Sequence, residues 1–315
     1  MKTEIYDIYH DESREDAYWH GFLFVPRSSK EYLLELLRKA RKGANWEDHI
    51  SFKDIKNRMG YNSPRVQLVE SWITIGLASL QQQKFLKLRT PFFICGKSKQ
   101  YYLKLDKPIK CKFVIFEERD NHKKMYNELT KMEKIEITLK MGFKGGIHKL
   151  FNEKEPIQIG NLFIAKFGHQ QNLNEVLKKL ARQIVKERRN YVSFMKGAKI
   201  IPQDSDHNKI NQSQDPNDSY LLQLCDILLG GVRHHAYYDD LNNIKYRISR
   251  PCKMLLVDHD VNNYYRMKQS RFWNGFIFGK AWLENKEWQF DSLKLKEIML
   301  SMNQLELPLT YAQKS

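Results

Sequence analysis

The chain has 315 residues, 42% hydrophobic and 12% aromatic, enough to bury a sizeable core in one large domain or one domain with an appendage. Lysine and arginine number 53 against 37 acids, a net charge of +16 with a pI near 9.5, which points to a polyanionic partner, nucleic acid before a membrane surface. A merely solvated basic surface is the alternative. No run of about 18 apolar residues occurs, and the start "MKTEIYDIYHDES" lacks a basic-then-apolar leader, so neither a membrane span nor export is expected. Cys95, Cys111, Cys225 and Cys252 stand singly at wide intervals, which fits neither a disulfide framework nor a zinc site and suits a reducing cytoplasmic setting.

In chain order, "EIYDIYHDES" alternates with period two and "YWHGFLFVP" is a short apolar run ended by Pro26, which together predict a hairpin. Ser28 or Ser29 caps a helix carrying Leu33, Leu34, Leu36 and Leu37 that Gly43 closes. "SPRVQLVESWITIGLASL" opens with Ser63 as cap and Pro64 in the first turn, with Gly76 as a close-packing point and Glu70 on the solvated side. "FFICG" is a short strand candidate, and "IKCKFVIFEERD" is a β-branched, aromatic strand ending in acids. A helix is expected over 122–140, a strand near "NLFIAKFG", and a basic helix over "NEVLKKLARQIVKERRNYVSFM". "AKIIPQDSDHN" reads as a strand running into a polar loop, and Asp218 or Ser219 caps the helix "SYLLQLCDILLGGVRHH". Beyond about Tyr238 the pattern changes to an appended α/β piece, with "VDHD" as a surface turn and a last helix near 293–305.

The helix around Asp226 raises the chemical question. Gln223, Asp226, Gly230, Arg233 and His234 share one stripe, and leucine and isoleucine cover the rest. An ionised carboxylate there needs donors, a cation such as Arg233 or an arginine of the basic helix, or a metal ion. Other acids stand where strand ends would deliver them to the same place: Asp11 and Glu12 after the first strand, Glu117 and Glu118 after "KFVIF", and Asp204 before the helix. Such oxygen-rich groupings hold Mg²⁺ or Mn²⁺, and two such ions about 4 Å apart can generate a hydroxide nucleophile and stabilise the leaving oxygen of a phosphodiester. Period two puts Glu117 and Glu118 on opposite faces without saying which faces inward.

Around this centre, Lys53, Arg233 and His234 are candidates to meet a phosphate, though the last two suit a helix C-terminus equally well. The basic helix offers Lys178, Lys179, Arg182, Lys186, Arg188 and Arg189 as a track for a nucleic-acid backbone. No Gly-rich phosphate loop and no Gly-x-Ser-x-Gly elbow is present.

"YHDES", "HISFKDIKN", the Asp204-Ser205 pair and "LLQLCDILLGG" together resemble the domain-of-unknown-function 3800 family, with Cys225 in place of the family's alanine. The resemblance covers roughly residues 3–238 and leaves 239–315 as a C-terminal extension. It implies a ribonuclease H-like α/β domain with a mixed central sheet flanked by helices. On that carry-over Asp11 and Asp226 are the leading metal ligands, with Glu12 and Asp204 next. The expectation is thus a divalent-metal-dependent nuclease acting on DNA or RNA, against a nucleic-acid-binding or scaffolding protein of the same fold without turnover.

Overall fold

The structure, a computed structural model, describes residues 3–14, 18–81, 85–88, 101–119, 128–165, 173–186, 190–212, 214–238, 242–253, 255–256, 275–284 and 287–293. In chain order these form β1 (Glu4–Ser13), β2 (Tyr18–Pro26), α1 (Arg27–Ala44), a 3-10 turn (Phe52–Asp54), α2 (Pro64–Gln81), β3 (Phe85–Leu88), β4 (Tyr101–Lys104) and β5 (Lys112–Glu118). They continue with α3 (Lys131–Leu150), β6 (Ile157–Ala165), α4 (Leu173–Lys186), β7 (Val192–Phe194), β8 (Ile200–Gln203), α5 (Pro216–Tyr237), α6 (Ile244–Ser249), β9 (Phe276–Glu284) and β10 (Glu287–Ser292).

The N-terminal alternation becomes the centre of a mixed eight-stranded sheet, ordered β10-β9-β5-β2-β1-β6, with β7 and β8 one after the other along the outer edge of β6. β1 pairs parallel to β6 and antiparallel to β2, β2 antiparallel to β5, and β5 parallel to β9, so only β2 and β10 run against the rest. β3 and β4 pair separately.

Period two then decides which core each side chain enters. Tyr9, Trp19, Leu23, Phe113 and Ile115 face one core with α1, α2, α5 and α6, whereas Ile8, Phe22, Phe24, Val114 and Phe116 face a second with α3 and α4. α2 is buried on nearly every side, and its Gly76 lies so close to α5 that an added Cβ would sit 2.8 Å from Leu228. No described helix is long and apolar enough to cross a membrane.

Several boundaries differ from expectation for local reasons. α1 begins at Arg27 behind Pro26 with no side-chain cap, and it ends at Asn45 in the left-handed region (φ 51°) rather than at Gly43. α3 starts at a capping box, where Thr130 and Glu133 satisfy each other's backbone N–H, and it runs to Leu150 instead of ending near 140. The stretch "VSF", read as the tail of the basic helix, is strand β7. Asp215 caps α5 by accepting from Asn217 N (2.9 Å), which leaves Asp218 free to meet Lys30 and the Tyr9 hydroxyl, both at 2.7 Å. Glu70 is buried, not solvated, and accepts a 2.7 Å bond from Tyr61. "FFICG", "VDHD" and residues 294–305 lie outside the described residues.

The described part of the C-terminal quarter completes the main body. β9 and β10 extend the central sheet beyond β5, and α6 packs on α2 and α5.

At the start of β1, Asp7 is buried and accepts from Arg27 Nε and Nη2 (3.0 and 2.8 Å) and from Asn161 N (2.9 Å). Asp7→Ala strands that guanidinium and a backbone donor. The expected cost is about 2–3 kcal/mol in urea unfolding, below the full buried-pair penalty because Arg27 keeps 33% of its side chain in water.

Candidate functional site

Packing of α5 across the first hairpin brings two carboxylates together. Cys225 Sγ donates to the carbonyls of Tyr9 and Gly21, each at 3.4 Å, and Gly21 is the cross-strand partner of Asp11. Asp226 follows Cys225 and so emerges beside Asp11 at the end of β1. A third wall comes from the 3-10 turn. Its Phe52 packs on Gly230 so closely that a Cβ there would lie 2.6 Å from the ring, which is the close approach that glycine permits. That seat puts Phe52 N 2.8 Å from Asp226 Oδ2, and the Ser51 hydroxyl also hydrogen-bonds this carboxylate.

The result is a cavity of about 390 Å³. Asp11, Glu12, Ser13 and Arg14 line it from the hairpin, and His49, Ser51, Phe52 and Lys53 from the turn. Ser205 closes another side, and Gln223, Asp226, Gly230 and Arg233 of α5 form the floor.

Both acids are half-buried, and burial pushes both carboxyls above their ordinary range. For Asp11 the charge of Asp226 adds to the rise, and the Glu12 N–H (2.8 Å) and Lys53 pull back. For Asp226 the opposing effects are the Ser51 and Phe52 donors, then Lys53 and His49. Neither acid has an ion-pair partner in contact among the described residues, so the two repel with only distant compensation. His49 is pushed below its ordinary value by burial, offset by Asp206, Asp226 and Asp54. An all-oxygen pair of this kind suits a hard divalent cation, with water or substrate oxygens filling the shell. Among the described residues no group of three or more His, Cys, Asp or Glu side chains is placed to hold a metal.

The other expected acids are engaged elsewhere. Glu12 touches the cavity, but its carboxylate is bonded by Tyr18 and by Arg14 (3.1 Å). Glu117 shares Asp11's face of the sheet but lies two strands over and two residues along, roughly 12 Å away at ordinary sheet spacings, and pairs with Arg119 at 3.0 Å. Glu118 is on the opposite face, buried against His20 Nε2 at 2.9 Å, with His10 next in line. Asp204 does not line the cavity; its Oδ1 accepts from Asp206 N (3.0 Å) and its carbonyl from Ser219.

Of the cations, Lys53 and Arg233 do reach the cavity, whereas His234 stacks on Tyr238 with ring centroids 4.6 Å apart. The basic helix is the clearest departure. α4 packs through Leu173, Val176, Leu180 and Ile184 on the second core, so Lys178, Lys179, Arg182 and Lys186 belong to the face of the sheet away from the cavity. Two of them are already paired, Lys178 with Glu175 and Lys179 with Glu136, both at 2.7 Å. Arg188 and Arg189 lie outside the described residues.

Cavity residues that sequence reasoning did not single out include Arg14, His49 and Ser51. The signal was adjacency, since each stands within four residues of one that was named. No family model, no curated protein and no solved structure matches the chain.

Because both carboxyls hold protons above the ordinary value of 3.8, the folded chain binds more protons than the unfolded one between 3.8 and the raised values. Stability therefore falls as pH rises through that window. Asp226→Asn keeps an acceptor for Phe52 N and removes the repelling charge. Its melting temperature is expected to exceed that of the unaltered protein above neutrality, the gap closing as pH falls toward 3.8. An equal or lower melting temperature at alkaline pH would count against the repulsion.

Proposed function

We propose that this protein is a divalent-metal-dependent nuclease that hydrolyses phosphodiester bonds in DNA or RNA, with Asp11 and Asp226 holding Mg²⁺ or Mn²⁺. The observation that carries the reading is the convergence of two carboxylates with no ion-pair partner in contact among the described residues, from a strand end and a buried helix, on one cavity whose walls also bear Arg14, Lys53 and Arg233. Bound there, the cation would supply positive charge to the phosphate oxygens as negative charge develops on them. Lys53 and Arg233 offer the phosphate further positive partners, and His49 can accept or return a proton at its ring nitrogen.

The strand order β5-β2-β1-β6-β8, with β2 alone reversed among those five, supports a ribonuclease H-like reading of the fold. The Asp-Glu-Ser and Leu-Gln-Leu-Cys-Asp segments supply the two acids, in keeping with the domain-of-unknown-function 3800 resemblance. Buried, unbridged Cys111, Cys225 and Cys252 suit a cytoplasmic setting.

One observation favours a second reading, a nucleic-acid-binding protein without turnover. The third and fourth carboxylates expected at the site are committed to other partners.

Labelled single- and double-stranded DNA and RNA, incubated with Mg²⁺ or Mn²⁺, decide between the two. Cleavage is expected to fall at least about a thousandfold in Asp11→Asn and Asp226→Asn and to stop with chelator, the scale of losing a group that acts only in the transition state. Asp204→Asn is expected to retain it. Binding with no cleavage by the unaltered protein would establish the second reading.

The position of α4 sharpens the test. Reversing the charges of Lys178, Lys179, Arg182 and Lys186 together should leave cleavage of a short oligonucleotide unchanged, while Lys53→Ala raises KM about tenfold, the worth of one charged phosphate contact.

A further inference from the structure

Gln223 lies one turn before Asp226 on α5 and is fully buried. Its amide is used to capacity. Oε1 accepts from Arg41 Nη2 (2.6 Å) and Ile50 N (3.3 Å), while Nε2 donates to the Ser205 carbonyl (2.6 Å) and lies 3.2 Å from His207 Nδ1. One side chain thus ties the end of α1 and the nearby stretch before Phe52 to the loop after β8, which is remote from both in sequence.

Two of those segments are cavity walls. His49, Ser51, Phe52 and Lys53 stand on one and Ser205 on the other. Arg41 holds the first wall from behind. It is buried against the rings of Trp72 and Tyr220 (5.1 and 4.8 Å to the centroids) and donates to the carbonyls of Asp48 (2.7 Å) and Trp46 (3.4 Å). The wall matters chemically because Phe52 N and Ser51 are the donors that orient Asp226.

We infer that Gln223 is the positioning residue of the Asp11–Asp226 site: its amide sets the two walls against each other and so holds the donors that aim Asp226 into the cavity. The inference rests on the metal-holding reading of that site, while the ordering of the walls stands on the hydrogen bonds themselves. No other side chain of this size meets the requirement. Glutamate has no donor for the Ser205 carbonyl, methionine has neither donor nor acceptor of use, and asparagine is one methylene short.

The test uses Gln223→Met and Gln223→Glu in the full chain, read by amide hydrogen exchange and by Mn²⁺ titration calorimetry. Exchange in 46–56 and 204–210 should rise about tenfold, the equivalent of one lost buried hydrogen-bonding partner, while β1 and β2 keep their protection. The Mn²⁺ dissociation constant should rise about 10–100-fold, as for loss of a group that orients a ligand. Gln203→Met is the control. Gln203 is equally buried and bonds Asp215 O (3.2 Å) and Ser219 Oγ (2.8 Å) at the far end of α5, so its loss should lower stability without moving Mn²⁺ affinity. Unchanged exchange in both walls of folded Gln223 variants overturns the inference, as does an equal loss of Mn²⁺ affinity in Gln203→Met. Absence of Mn²⁺ binding by the unaltered protein overturns the metal reading alone, and exchange then decides the ordering of the walls.

Discussion

The thiol of Cys225 rests on the carbonyls of Tyr9 and Gly21, and this contact fixes how closely α5 lies against the first hairpin. A larger side chain at 225 would lift the helix from the sheet. Two glycines then let its other neighbours come equally near: Gly76 receives Leu228, and Gly230 receives Phe52. Outside the cavity little room is left for solvent along the helix, so its buried polar atoms must be satisfied by protein. Gln223 and Asp226 inherit that requirement, and the segments that answer it are the ones that wall the cavity.

The buried acids of this protein fall into two kinds. Asp7 meets Arg27, and Asp218 meets Lys30 and Tyr9, so each is neutralised where it stands. Asp11 and Asp226 receive donors but, among the described residues, no cation in contact, and the charge of one acts on the other. Nothing in the packing requires a second carboxylate there. An amide at one of the two positions would relieve the repulsion at no cost in packing volume.

Much of this was legible in the chain, and what was hidden has physical causes. Alternation in "EIYDIYHDES" gave the central strand and the face of Asp11, and the lone acid in an apolar helix marked Asp226. Periodicity says that a helix has an apolar stripe but not which side of a sheet receives it, so the packing of α4 behind the sheet from the cavity was not legible. Three residues of β7 are too few to announce a strand, and the helical pattern beside them spread over them. The folding of "HIS" onto α5 depends on Arg41, Gln223 and Gly230 acting at long range, which no local pattern encodes.

The pairing of β9 with β5 bears on how the chain is made. β5 is an interior strand only once residues from the far end of the sequence have arrived beside it. Until then its flank, with the backbone of Phe113 through Glu118 unpaired, is an open sheet edge carrying apolar side chains on both faces. A nascent chain therefore has its carboxylate pocket's strands and helix before it has a closed sheet, and during that interval it is open to pairing with another copy. The later-synthesised β9 and β10 thus act as a seal against that association.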